Sequence, residues 1–229
     1  MLAPRIELLH EESPQLELVP SDGHPARAGS RLKRALDVCV AVGGLLVAAP
    51  AVGLMALVVA LSDRQWPFYG DTRIGLRGRA FRCWKLRTML SDPAILTAYF
   101  ADHPAEEAVY AATRKLENDP RVTRVGRFLR RSSLDELPQL WNVLRAEMSI
   151  VGPRPLSPAE FQARGAHRFP LAAVRPGLTG LWQVSGRSDL DPASRVLLDN
   201  YYARHWSVWM DLRILGATPI VVLSRRGAR

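Results

Sequence analysis

The chain has 229 residues, of which 48% are hydrophobic and 23% charged. This excludes a wholly disordered chain and allows one domain with a core, with or without a membrane element. The formal net charge of +9 calls for an acidic partner: nucleic acid, anionic lipid or a phosphorylated substrate. The two cysteines, Cys39 and Cys83, make neither a metal-binding spacing nor a disulfide framework, and fit reduced thiols facing a cytosol.

Residues 1–30 carry a balance of −3 and include Pro4, Pro14, Pro20 and Pro25, so the other 199 residues carry +12. The segment has no periodicity and is expected to be a disordered tail. It lacks the basic start, apolar run and cleavage site of a signal peptide.

Val38 to Leu61, VCVAVGGLLVAAPAVGLMALVVAL, is 24 residues without a charge. As a helix it is about 36 Å long at about 1.5 Å per residue, against a bilayer core of about 30 Å. Length and purity predict membrane insertion. Pro50 falls mid-segment, where it removes a backbone hydrogen bond, and Gly43 and Gly44 soften the first half. Both flanks are basic: Arg31, Lys33 and Arg34 precede the segment, and Arg64, Arg73, Arg77, Arg79 and Arg82 follow it. Basic flanks favour the cytoplasmic side. A segment that dips in and returns satisfies both; a kinked single span is the alternative that the residues leave open.

NDPRVTRVGRFLRR, residues 118–131, places Arg121, Arg124, Arg127, Arg130 and Arg131 at close to helical spacing. Arg124, Arg127 and Arg131 share one face, with Val122, Val125, Phe128 and Leu129 mostly on another. Anionic headgroups and diphosphates are both suitable ligands; a solvated charged face is the plain alternative. No helix-turn-helix, zinc-finger or RNP-like pattern is present, so nucleic acid is not expected as a partner.

The next stretch, SSLDELPQLWNVL, sets Asp135 beside Glu136. Ser133 to Glu136 reads as a capping box, and acidic residues suit a first helical turn. On that reading Pro138 falls at the fifth helical position and removes a bond. The same residues allow chemistry. A carboxylate held by a helix dipole and arginines stays ionised and can be a nucleophile, and its neighbour can ligate Mg²⁺. Magnesium and arginines would then neutralise a diphosphate under attack. P-loop, GxGxxG, HExxH and GxSxG motifs are missing, which disfavours an ordinary nucleotide-dependent kinase or hydrolase. Near the C-terminus, Tyr201, Tyr202, Trp206 and Trp209 read as a headgroup belt. Ile214–Leu223, interrupted by Pro219, is too short to span and fits an interfacial helix, with a soluble core helix as the alternative.

Five segments together, KRALDVCVA, GDTRIGLRGRAFRCWKLRTM, RSSLDELPQLWNVLRAEMSIVGPRP, RPGLTGLWQVSGR and LDNYY, resemble the bacterial sugar transferases, the monotopic polyprenyl-phosphate phosphoglycosyl transferases. The resemblance covers roughly residues 31–229. HPAEEAVYAATRKLENDPRV and GLTGLWQVSGR look most like exopolysaccharide-initiating undecaprenyl-phosphate galactose phosphotransferases.

The resemblance implies a helix-rich α/β fold with interfacial amphipathic helices and a re-entrant helix-break-helix. Residues 31–64 would form the re-entrant element and 65–229 the catalytic domain at the cytosolic face of the bacterial inner membrane. The break falls at Ala49-Pro50, where well-known members carry Ser-Pro. It implies that Asp135 attacks the β-phosphate of a UDP-sugar and expels UMP, after which undecaprenyl phosphate takes the sugar phosphate. Asp135 and Glu136 would hold Mg²⁺. Lys85, Arg130, Arg154 and Asp199 match functional positions, and Arg175 and Arg187 lie in matching motifs with phosphate or nucleotide contact as the expected role. The implied partners are UDP-sugar, undecaprenyl phosphate, membrane lipids and downstream glycosyltransferases. Galactose is the first expectation for the sugar and glucose the second. Two rival classes are a non-catalytic membrane scaffold for glycosyltransferases and a lipid-headgroup binding module.

Overall fold

A computed structural model describes residues 30–113 and 116–224. The tail expected at 1–30 lies outside the described residues except for Ser30. Its Oγ accepts a hydrogen bond from the Lys33 backbone N–H at 3.1 Å and caps the first helix.

The elements in chain order are α1 (Arg31–Asp63), β1 (Phe68–Ile74), β2 (Ala80–Leu86), α2 (Pro93–Asp102), α3 (Pro104–Thr113), α4 (Arg124–Ser132), α5 (Gln139–Leu144), β3 (Ser149–Val151), α6 (Pro158–Ala163), α7 (Arg168–Ala172), β4 (Gly177–Thr179), α8 (Leu181–Ser185), α9 (Pro192–His205) and α10 (Val208–Ser224). The fold is helix-rich α/β, with β1–β2 and β3–β4 as two small sheets.

At 33 residues, α1 is about 50 Å long, given about 1.5 Å per residue. It is continuous through Ala49 and Pro50. Its middle is apolar and turned outward, with Leu46 74% and Val47 84% exposed. A helix of this length and composition that leaves its aliphatic side chains uncovered suits a lipid environment, and it is the one candidate membrane segment among the described residues.

The chain divides into two compact units. One comprises residues 30–46, Asp71–Cys83 and residues 139–224. Here β3 and β4 run parallel, pairing Ser149 with Gly177 and Val151 with Thr179. The backbones approach so closely that a Cβ on Gly177 would lie 2.1 Å from the Gly152 nitrogen, which only glycine avoids.

A buried charge network anchors the start of α1 in this unit. Lys33 Nζ lies 2.8 Å from Asp211 Oδ2 and 3.2 Å from Asp37 Oδ1, and donates to the Val151 carbonyl. Asp37 in turn accepts from Ser149 Oγ and from the Ile150 N–H. Charges taken from water need such full satisfaction.

The network corrects the predicted aromatic belt. Tyr202 is buried, and its hydroxyl donates to Asp211 Oδ1 at 2.7 Å, with the Val151 carbonyl also within reach at 2.9 Å. Trp206 is half-buried and donates to Asp211 Oδ2. Their polar tips find partners inside the protein, so only Tyr201 and Trp209 face outward. In α10, Asp211 and Ile214 are buried while Trp209, Leu212 and Ile220 are exposed, giving the helix one packed side and one apolar outer side.

The second unit comprises Val47–Gly70 and Trp84–Pro138. Ala56 and Val59 of α1 pack with Leu86 and Leu129, flanked by Met55, Phe68, Val125 and Leu134. Thr123 caps α4, its Oγ1 accepting from the Gly126 N–H at 2.8 Å. A Cβ at Gly126 would lie 2.0 Å from the Thr88 carbonyl oxygen, so α4 meets the strand-end backbone only through glycine. The apolar face expected on α4 is narrower than the spacing implies: Val125 and Leu129 pack inward, but Phe128 is exposed.

Candidate active site

The site is built where α4 ends. Ser133 adopts left-handed backbone angles (φ 56°, ψ 18°), and its N–H donates to the Arg130 carbonyl at 3.2 Å. The chain then makes a 3-10 turn over Leu134–Glu136. This overturns the capping box, because a left-handed Ser133 ends one helix and its side chain forms no cap bond to the next turn. Pro138 is likewise not inside a helix. It precedes α5, where the missing N–H costs no helical bond. A left-handed non-glycine residue costs about 1 kcal/mol or more and clusters at functional sites.

The turn buries Asp135 and leaves Glu136 half-exposed. Lys85, from the end of β2, puts Nζ 2.7 Å from Glu136 Oε1. Arg130 is held by Thr88, whose Oγ1 accepts from Nε at 2.9 Å. Burial, and then the charge of Glu136, push the Asp135 carboxyl up to about 6, against the pull of Lys85 and Arg130. The expectation of a carboxylate held ionised by its cations is therefore corrected in degree. Desolvation outweighs the cations, yet a group at about 6 is still mostly ionised at neutral pH.

Two adjacent carboxylates fit a hard divalent cation. Among the described residues no group of three or more His, Cys, Asp or Glu side chains gathers. A pair of carboxylates completed by phosphate oxygens and water is the manner in which Mg²⁺ is usually held, so Asp135 and Glu136 suit it.

Arg154, Arg175, Arg187 and Asp199 lie in the first unit. Asp199 is 3% exposed, accepts a bond from the Arg154 backbone N–H, and is pushed up to about 7 by burial despite the charges of Arg164 and Arg154. Among the described residues its Oδ1 has no partner, nor do Gln183 Oε1, Asn200 Oδ1 and Trp182 Nε1. Arg175 donates from Nε to the Ala146 carbonyl at 2.8 Å. Arg187 is left-handed (φ 52°) at the start of a 3-10 turn, after Gly186. Ala49 and Pro50 are exposed in mid-α1. Sequence reasoning missed Thr88, which lies two residues after Lys85's neighbour Leu86 in the quoted KLRTM segment, and the unpartnered atoms of Trp182, Gln183 and Asn200 in the LWQ and LDNYY segments.

The family model for bacterial sugar transferases matches residues 28–225. The chain belongs to this family. Among related sugar transferases, the exopolysaccharide production protein ExoY of Rhizobium meliloti (strain 1021) is 46% identical over 199 residues, covering 86% of this chain and 88% of that one. The UDP-galactose-lipid carrier transferase of Erwinia amylovora is 43% identical over 205 residues, 89% of this chain and 43% of that protein. The undecaprenyl-phosphate galactose phosphotransferase of Salmonella typhimurium is 40% identical over 218 residues, 94% of this chain and 46% of that protein. The chain thus spans most of the Rhizobium relative and less than half the length of the other two.

Proposed function

We propose that the protein transfers a sugar 1-phosphate, galactose first and glucose second, from a UDP-sugar to undecaprenyl phosphate at the cytosolic face of the bacterial inner membrane. The product would begin an exopolysaccharide repeat unit and pass to downstream glycosyltransferases. The observation that carries the reading is the buried Asp135 set beside Glu136, with Lys85 and Arg130 close by. The names of the Rhizobium, Erwinia and Salmonella relatives support the process and the first choice of sugar.

In the first step an ionised Asp135 oxygen attacks the β-phosphorus. The bond to the bridging oxygen breaks and its electron pair leaves with UMP. In the second, an oxygen of undecaprenyl phosphate attacks the same phosphorus and restores the Asp135 carboxylate. Lys85 and Arg130 supply positive charge as phosphate charge shifts, held in place by Glu136 and Thr88. A divalent cation on Asp135 and Glu136 would supply further neutralisation of the diphosphate. Arg154 and Arg187 are assigned to phosphate or nucleotide contact. Asp199 acts there by fixing the Arg154 backbone, and Arg175 by its tie to Ala146.

The finer membrane reading is a helix that enters and leaves by the same face with its bend at Ala49-Pro50. It is supported by Arg31 and Arg34 at the start of α1 and Arg64 just beyond its end, by the backbone bond that Pro50 removes, and by a length well beyond the roughly 30 Å of a bilayer core.

The test is UMP release by purified protein given a panel of UDP-sugars, Mg²⁺ and a short polyprenyl phosphate. Release with one sugar is expected. Silence with every sugar from folded protein would return the field to the scaffold.

A further inference from the structure

The second half of α1 carries a feature that the chemistry at Asp135 does not use. Ala56, Leu57 and Ala60 line a cleft of about 520 Å³ with Arg64, Gln65, Trp66 and Pro67, within the range of about 300–1,000 Å³ common for small-ligand sites. The helix wall is aliphatic and belongs to the lipid-facing part of α1, where Leu57 and Leu61 are exposed. The lip is polar. Arg64 is exposed and left-handed (φ 55°), turning the chain out of the helix, and the exposed Trp66 ring follows it. An aliphatic wall ending in a guanidinium and an indole matches a chain lying in the bilayer with an anionic head at the interface.

The lip is also tied toward the carboxylate pair. Arg87 donates from Nε to the Trp66 carbonyl at 2.9 Å and from Nη1 to Gln65 Oε1 at 3.3 Å. The next residue is Thr88, which holds Arg130, and Lys85 lies two residues earlier on the same strand end. We infer that this cleft seats the first isoprene units of the acceptor, a single isoprenyl chain ending in phosphate, with that phosphate at Arg64. The inference rests on the transfer reaction proposed above. A bulk phospholipid shares the head-group charge, but nothing in its role requires a lip fastened to the segment that carries Lys85, Thr88 and Arg130.

The test uses the full chain in detergent and a benzophenone-ended short isoprenyl phosphate, with cross-links mapped by mass spectrometry. Cross-links are expected within residues 56–67. Undecaprenyl phosphate should compete at least about tenfold better than phosphatidylglycerol, inorganic phosphate or unphosphorylated polyprenol. Arg64→Gly, which keeps the left-handed turn without strain, should cut labelling about tenfold, and Arg64→Lys should restore most of it. Ala60→Phe, which fills the cleft, should also cut labelling about tenfold, without touching the charge. Equal competition by phosphatidylglycerol, labelling elsewhere, or indifference to all three substitutions would overturn the assignment. Because labelling needs no turnover, protein that cross-links here but releases no UMP would contradict the transfer reaction alone. Protein that releases UMP but is not labelled here would contradict the cleft alone.

Discussion

Lys85 Nζ lies 2.7 Å from Glu136 Oε1, so a cation that acts on the candidate nucleophile is held by the nucleophile's own neighbour. The pair acts on Asp135 in opposite directions. Glu136 raises its proton affinity and Lys85 lowers it, both against the larger upward push of burial. Titrating the Asp135 carboxyl by ¹³C NMR in metal-free protein should give a midpoint near 6. Glu136→Gln should move it down and Lys85→Ala up. Because the reactive form is ionised, activity should fall as pH drops through that midpoint, and added Mg²⁺ should shift the midpoint down. A midpoint that ignores Mg²⁺ would argue against a cation on this pair.

Lys33 is buried between Asp37 and Asp211. Lys33→Met would leave two buried carboxylates facing each other without their cation. Breaking such a network from one side typically costs about 3–5 kcal/mol. Chemical denaturation in detergent should register a loss of that size, and a change below about 1 kcal/mol would mean that the network is solvated.

Gly126 leaves no room for a methyl group beside the Thr88 carbonyl. Gly126→Ala should destabilise the protein by at least about 2 kcal/mol, because backbone rather than a flexible side chain must move. It should also weaken catalysis, since Thr88 holds Arg130. Thermal melting and UMP release measured on the same preparation check both effects.

The membrane reading of α1 is open to cysteine labelling. Cysteines replacing Leu32 or Ser62, near the two ends of the helix, should both react with an impermeant maleimide in inside-out vesicles and neither in intact spheroplasts. Opposite accessibilities of the two ends would establish a crossing helix and remove the re-entrant one.

The long apolar helix and the basic approach to the carboxylate pair are legible in the sequence because each is a local pattern: charge-free length, arginines at helical spacing, adjacent acids; the helix-rich α/β fold is legible only through the family resemblance. The capping box misleads because a Ser-x-x-Glu pattern carries no information about Ser133's left-handed backbone, which is set by how α4 ends. Tyr202 and Trp206 mislead because an aromatic near a basic stretch suits a headgroup region or a core equally, and only their bonds to Asp211 decide. The Lys33–Asp37–Asp211 network and the Thr88–Arg130 bond join residues distant in sequence, which no periodicity exposes.

The central claim is that Asp135 becomes covalently bonded to the sugar phosphate. The direct measurement is intact-protein mass spectrometry after mixing enzyme with UDP-galactose and Mg²⁺ in the absence of lipid acceptor, with Asp135→Asn in parallel. The account predicts a hexose-phosphate adduct mapping to Asp135, stoichiometric UMP, and neither product from the variant. Normal turnover by Asp135→Asn, or an adduct mapping to another residue, would contradict it.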